Sequence, residues 1–396
     1  MSGHEFRQAQ TALTIHAMKE DGFRLDYSTP ILGKPWSIPF EFPVYQYLVA
    51  RFSPASELGE ILTGRTISVA AFYLSLVGLF LALRAVGFSP TGAVLALVPV
   101  CCAPVYILYT RAVMIESTAL CGGAWFLYFV IRYRLERLPW LLAAVLLAGS
   151  FAVLAKATTW AVFCLPWALW GLHDLWRARA RGWRSIGVVL DDIVLIGVPL
   201  LFVGFGWVWI TDQIKAMNPI GGFLTSGSLR AFNFGTAAQH IDPTVFHALW
   251  LNWLRAVMPG WALIAAALML PLVHIRYRLL AGAAFGAFLL GQYVFINLYA
   301  IHDYYFYANA WAACLAVGAV AVGLWEHSPS GRWRRWLAVL LVGVVGSGQF
   351  VNYHRDLYQI QVSANPGDSE FTTALSKLVA PDEVVVCDGG STDGTA

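Results

Sequence analysis

TISVAAFYLSLVGLFLAL, from Thr66 to Leu83, holds no acidic or basic side chain, and Arg65 and Arg84 bracket it closely. A helix that crosses the hydrocarbon layer of a bilayer needs about 20 mostly apolar residues, with about 17 as the practical minimum. Working outward from this run, nine more can be read, at about 91 to 109, 116 to 132, 138 to 154, 158 to 173, 190 to 210, 260 to 274, 279 to 298, 305 to 325 and 336 to 351. Composition agrees. Hydrophobic residues make up 58% of the 396 positions and charged residues 12%, against roughly 45–50% and 25% in soluble domains. A soluble globule cannot hide that much apolar surface, so the fold class is an all-α polytopic integral membrane protein with about ten transmembrane helices. The 17 Trp, 16 Tyr and 24 Phe suit aromatic belts at the membrane interfaces.

Charge fixes the orientation. If the residues before Arg65 lie outside the cytoplasm, alternate connections fall inside. These carry Arg84, then Arg132, Arg134 and Arg137, then Arg177, Arg179, Arg181 and Arg184, then Arg276 and Arg278, then Arg332, Arg334 and Arg335. Half of the 26 basic residues therefore sit in five short loops, as cytoplasmic loops require. Three domains follow: an extracytoplasmic first loop at 1–65, a helical membrane domain at 66–351 with an outer loop at about 211–259, and the start of an extracytoplasmic domain at 352–396. MSGHEFRQAQ lacks the apolar stretch of a signal peptide, so a further helix is expected before residue 1. The tail LSKLVAPDEVVVCDGGSTDGTA reads as helix, turn, strand (Glu383 to Cys387) and glycine-rich turn, the opening of an α/β domain expected to continue. The six cysteines lie mostly in apolar runs without metal-ligand spacing and read as packing residues. A net charge of +3 is too small to suggest nucleic acid as a partner.

The candidate chemistry gathers in the outer connections. In His4-Glu5-Phe6-Arg7-Gln8-Ala9-Gln10-Thr11, a helix would place Glu5, Gln8 and Thr11 on one face with His4 and Arg7 beside them; the alternative is a solvated surface helix. Glu41 follows in Pro39-Phe40-Glu41-Phe42-Pro43. Arg111 and Glu116 stand five residues apart in a short outer turn, where a structural ion pair is the alternative. His302-Asp303-Tyr304-Tyr305 forms another outer turn. Two ligands make a poor metal site, so contact with a polar head group is favoured over metal, with aromatic anchoring as the alternative. Lys156 interrupts an apolar stretch; an unpaired ammonium at depth is costly, so it sits in a tight outer turn, faces a polar cavity or snorkels to the surface. Arg65 is placed like Lys156. Both are cations on the side that the charge rule disfavours, which suggests an anion there.

Taken in order, HEFRQAQTA, FEFPVYQYLVA, LTGRTIS, YTRAVMIES, LAKATT and the HDYY turn resemble the bacterial branch of the GT-C fold glycosyltransferases, related to dolichyl-phosphate-mannose protein mannosyltransferases and aminoarabinose transferases. The resemblance runs from His4 to about Tyr305. It implies a transferase of the bacterial inner membrane that takes a sugar from a polyprenyl-phosphate carrier and gives it to a protein, lipid or glycan acceptor on the extracytoplasmic face. It also implies Glu5 as the first acidic position and Glu116 as the second, Arg7 and Gln8 within the same first-loop motif, and Glu41 in the following apolar-acidic-Pro motif. Lys156 and His302 fall at positions facing the carrier phosphate. Relatives often show an aspartate before the threonine where this chain has Gln10.

The expected chemistry is an inverting displacement. Glu5 takes the proton of the acceptor hydroxyl, aided by Glu116 or Glu41, while Arg65, Lys156 and His302 hold the lipid phosphate, with Arg111, Asp303, Tyr304 and Tyr305 around the substrate. No metal ligand set is visible, and assistance by a divalent cation is left open. A transporter or lipid flippase is the rival reading, and it would place carboxylates near mid-span.

Overall fold

The computed structural model describes residues 5–31, 35–181, 184–219, 221–326, 332–362, 373–374 and 377–378. The side chains of residues 5, 178–181, 184–185 and 360–361 fall outside that description. Helices α1 (Glu5–Asp21) and α2 (Val44–Phe52) precede α3 (Glu57–Ala85), and α4 (Pro90–Cys102), α5 (Pro104–Tyr109), α6 (Glu116–Glu136), α7 (Pro139–Ala155), α8 (Ala157–Arg181), α9 (Arg184–Asp192) and α10 (Val198–Met217) follow. Then come α11 (Arg230–Phe234), α12 (Pro243–Ala256), α13 (Gly260–Met269), α14 (Ile275–Val294), α15 (Ile296–Ile301), α16 (Ala310–Glu326), α17 (Arg332–Asn352) and α18 (Gln359–Val362). Among the described residues there is no strand, only one isolated bridge between Ser28 and Ser37. The strand read at Glu383 to Cys387 lies outside the described residues.

Every one of the ten apolar runs is helical over most of its length, but fewer are unbroken spans than the sequence suggests. Among the described residues, three helices are long and apolar enough to cross a membrane: Glu57–Ala85, Ile186–Met217 and Arg332–Tyr358. A fourth is added if Pro243–Ala256 and Gly260–Leu272, bent by 85°, count as one. Proline accounts for part of the difference. Pro104 opens α5 just after α4 ends, splitting the run at 91–109, because a proline is comfortable in a first turn and not in a helix interior. Helices α4, α7 and α16 are apolar but only 13, 17 and 17 residues long. Helices α6, α8 and α14 reach 21, 25 and 20 residues with a mixed composition.

The core lies where α16 packs on α4 and α14, and where α6 is held between α3 and α7. Small residues set these approaches. A Cβ on Gly318 would lie 2.7 Å from the Ala96 carbonyl oxygen, so α16 and α4 touch backbone to backbone, as small-residue membrane interfaces do. Helix α6 carries charge at both ends and is apolar or small between them. Glu116 opens it, and Arg134 near its other end pairs with Asp192 at 2.9 Å and Asp174 at 2.7 Å while lying over the Trp170 ring. Arg137 also reaches Asp192, at 2.6 Å. The eighteen residue steps from Glu116 to Arg134 rise about 27 Å along the axis, close to the roughly 30 Å of a hydrocarbon core.

Replacing Gly318 with Ala is expected to lower stability by about 1–3 kcal/mol, the usual effect of overpacking. Gly343→Ala, where nothing lies within 4 Å, is expected to be neutral or mildly stabilising. Thermal unfolding in detergent checks this; equal midpoints for the two variants would contradict the close approach.

Candidate functional site

Helix α1 buries a face that is polar toward its N-terminal half and apolar beyond, with Gln8, Gln10, Thr11 and Thr14 followed by Ile15 and Met18. Buried polar groups need partners, and these have them. Thr14 Oγ1 bonds the Gln10 carbonyl at 2.9 Å and Thr29 Oγ1 at 3.2 Å, Thr11 Oγ1 donates to the Arg7 carbonyl, and Gln8 Oε1 accepts from the Val113 amide at 3.4 Å. Farther along, Ile15 and Met18 join Tyr27, Tyr45, Val49, Val113 and Ile115 in a small apolar cluster. The first stretch of the chain is therefore seated on α2, the start of α3 and the turn before α6, rather than lying as a solvated helix.

The segment before α2 is clamped through its backbone. Tyr27 Oη donates to the Glu41 carbonyl and accepts from the Phe40 amide, both at 2.9 Å. Phe42 N–H reaches the Leu154 carbonyl at the end of α7, and Trp207 Nε1 donates to the Phe40 carbonyl from α10. With its main chain fixed in this way, the Glu41 carboxylate forms an ion pair with Arg7 Nη2. Arg7 Nη1 donates to Gln10 Oε1 at 2.8 Å, and the guanidinium faces the Phe40 ring at 5.9 Å. Burial alone would lower the pKa of Arg7; Glu41 first, then Tyr304, Glu116 and Tyr305, outweigh it and hold the group above its ordinary value. Arg7 is thus a fixed cation.

Glu116 occupies the first turn of α6, where a negative charge is favoured by the helix dipole. Its side chain is 3% exposed, and Oε1 accepts from Lys156 Nζ at 2.6 Å. Among the described residues, Oε2 has no hydrogen-bond partner. Lys156 is the extended residue between α7 and α8, which turns its side chain back toward the start of α6. Its ammonium lies 5.2 Å from the Tyr304 ring centroid and 4.6 Å from that of Tyr305, within cation–π range. The two tyrosine rings stack at 4.5 Å, and His302 lies beside them at 5.4 and 6.2 Å. Asp303 is directed elsewhere, accepting from Tyr109 Oη at 2.7 Å with Arg255 at 3.9 Å.

Arg7, Glu41, Glu116, Lys156, Tyr304 and Tyr305 thus come together from five separate segments, with Gln8, His302 and Asp303 at the margins. Glu5 opens α1 two residues before Arg7, and its side chain, like His4, lies outside the described residues. Two nominated cations stand apart from this group. Gly64 is the α3 residue that faces Tyr45 and Val113, so Arg65, one position on, is exposed. Arg111 donates to Tyr353 Oη at 2.8 Å and to the Ile107 carbonyl. Lys215 on α10 was not legible as a site residue: its ammonium lies 4.9 Å from the Phe40 ring, on a helix that continues past the run read at 190–210 into the expected outer connection. Among the described residues no three His, Cys, Asp or Glu side chains are grouped to hold a metal.

ArnT from Cupriavidus metallidurans, solved bound to undecaprenyl phosphate, shares this fold with a TM-score of 0.60 over 97% of this chain and 78% of its own, at 13% identity. That likeness establishes the GT-C fold to which the ordered motifs pointed. No protein-family model matches the chain, and no curated protein matches it in sequence.

Breaking one side of a buried ion pair strands the other charge, at a cost of about 3–5 kcal/mol. Lys156→Met is therefore expected to lower the unfolding midpoint, and Lys156→Met with Glu116→Gln to recover most of the loss. An unrecovered midpoint in the double variant would contradict the pairing.

Proposed function

We propose that this chain is a membrane glycosyltransferase that moves a sugar from a polyprenyl-phosphate donor to an acceptor hydroxyl, with the reaction on the extracytoplasmic face of the bacterial inner membrane. The observation that carries the reading is the meeting of two carboxylates, Glu41 and Glu116, with two cations, Arg7 and Lys156, against the Tyr304–Tyr305 stack. Transfer needs both signs of charge at one place. A carboxylate accepts the acceptor proton, and cations stabilise the phosphate that departs. The fold shared with a protein solved with undecaprenyl phosphate supports the same donor class.

In this reading the acceptor oxygen attacks the anomeric carbon as the bond from that carbon to the phosphate oxygen breaks, and the electron pair leaves with the lipid phosphate. The proton passes to Glu5, which stands two residues ahead of Arg7. Glu116, with one carboxylate oxygen open, orients the acceptor, and Arg7 and Lys156 face the departing phosphate. One displacement without a covalent nucleophile inverts the anomeric centre. The segment before α3 then forms the outer catalytic loop, and the helices from α3 to α17 form the membrane domain. Acidic side chains of the described helices lie toward helix ends, which suits surface transfer better than a mid-span transport path.

Loss of a general base typically removes 10²–10⁴-fold of rate. Glu5→Gln is expected to lower kcat by about that factor with little change in donor KM, and Glu116→Gln to lower kcat with a raised acceptor KM. Sugar release from a polyprenyl-phosphate donor in proteoliposomes is the measurement. Undiminished turnover in both variants would reject acid–base transfer at this site.

A further inference from the structure

Lys215 has no role in the scheme above, yet its environment calls for an anion. Its side chain is 7% exposed, close to the end of α10. A lysine at such a position normally extends freely into water, and here most of the side chain is covered. Its nearest carboxylate oxygen, Asp212 Oδ1, is 3.9 Å away, beyond hydrogen-bond reach. Asp212 is committed to Ser226, accepting from its amide at 2.9 Å and from its hydroxyl. Among the described residues the ammonium makes no hydrogen bond; it faces the Phe40 ring at 4.9 Å. Arg7 approaches the same ring, so one buried and one half-buried cation flank one aromatic side chain whose neighbour is Glu41. An ammonium covered to this extent without a hydrogen bond is costly, and neither nearby carboxylate accepts from it, because Asp212 is held by Ser226 and Glu41 by Arg7.

We propose that Lys215 is an anion-binding residue of this site and receives a phosphate oxyanion of the substrate. The inference rests on the transferase reading and extends it, because it assigns the phosphate contact to a residue on α10 across Phe40 from Arg7. The oxyanion belongs either to the carrier lipid or to a phosphorylated acceptor, and the two sources are separable by probe.

The test is thermal unfolding of the full chain in detergent with undecaprenyl phosphate, undecaprenol or inorganic phosphate, for the wild type, Lys215→Met and Lys215→Arg. Without ligand, Lys215→Met is expected to unfold at or above the wild-type midpoint, because a covered ammonium without a hydrogen bond has been removed. A lower midpoint would mark Lys215 as a structural partner of Asp212 and overturn the proposal. With undecaprenyl phosphate, the stabilisation beyond that given by undecaprenol is expected to persist in Lys215→Arg and to vanish in Lys215→Met, corresponding to about ten- to hundredfold weaker binding. A full phosphate-dependent shift in Lys215→Met overturns the lysine assignment while leaving the donor class standing. A wild type that responds to inorganic phosphate and not to the lipid moves the anion to the acceptor and counts against the donor reading, with Lys215 upheld if its Met variant loses that response. A wild type that responds to neither phosphate overturns both.

Discussion

A carboxylate that is almost sealed from solvent has to be balanced within a few ångströms, and the 2.6 Å contact between Lys156 and Glu116 supplies that balance. Much of the site follows from it. The pair ties the break between α7 and α8 to the first turn of α6, and so fixes where the ends of three helices meet. The Tyr304–Tyr305 stack closes over the ammonium from the far end of the sequence. Arg7 and Glu41 complete the group from the first stretch of the chain. A low-dielectric pocket strengthens each of these interactions and equally penalises any member left alone, so the cluster forms as a unit.

Helix α6 gives the arrangement its depth. Its two charged ends are separated by about the thickness of a hydrocarbon layer, with the Arg134–Asp192–Arg137 network at one end and Glu116 at the other. The helix between them buries Gly122 and Gly123 so closely that an added Cβ would meet Ala152 or Phe163. Charge is therefore confined to two levels, and the candidate chemistry to one of them. Trp207 and Lys215 bring α10 to the same level, against Phe40.

Much of this was legible in the sequence. Hydropathy located the helical runs, and breaks in apolar patterning nominated Lys156 and Glu116. The lengths of the spans were less legible, because a proline such as Pro104 divides a continuous apolar run without changing its hydropathy. The pairing of Glu116 with Lys156 spans forty residues and has no periodic signal. Arg65 was nominated from its charge and level alone; helical phase decides its direction, and Gly64 takes the inward position. Arg134 reads as a loop charge of the cytoplasmic side, although it is buried together with Asp192. Lys215 escaped notice because it falls in the connection read at 211–259, where a cation reads as solvated, and only the burial of its side chain distinguishes it.

The central claim is that the first segment of the chain is seated on the ends of the membrane helices, so that Arg7 and Glu41 share a pocket with Glu116 and Lys156. Cross-linking of Gln8→Cys to Val113→Cys by a short bismaleimide in intact membranes, in a background without the native cysteines, tests it most directly. The account requires one intramolecular product joining the two positions, formed with a reagent applied from the extracytoplasmic side. Labelling of the two positions from opposite faces of the membrane, with no joined product, would contradict it.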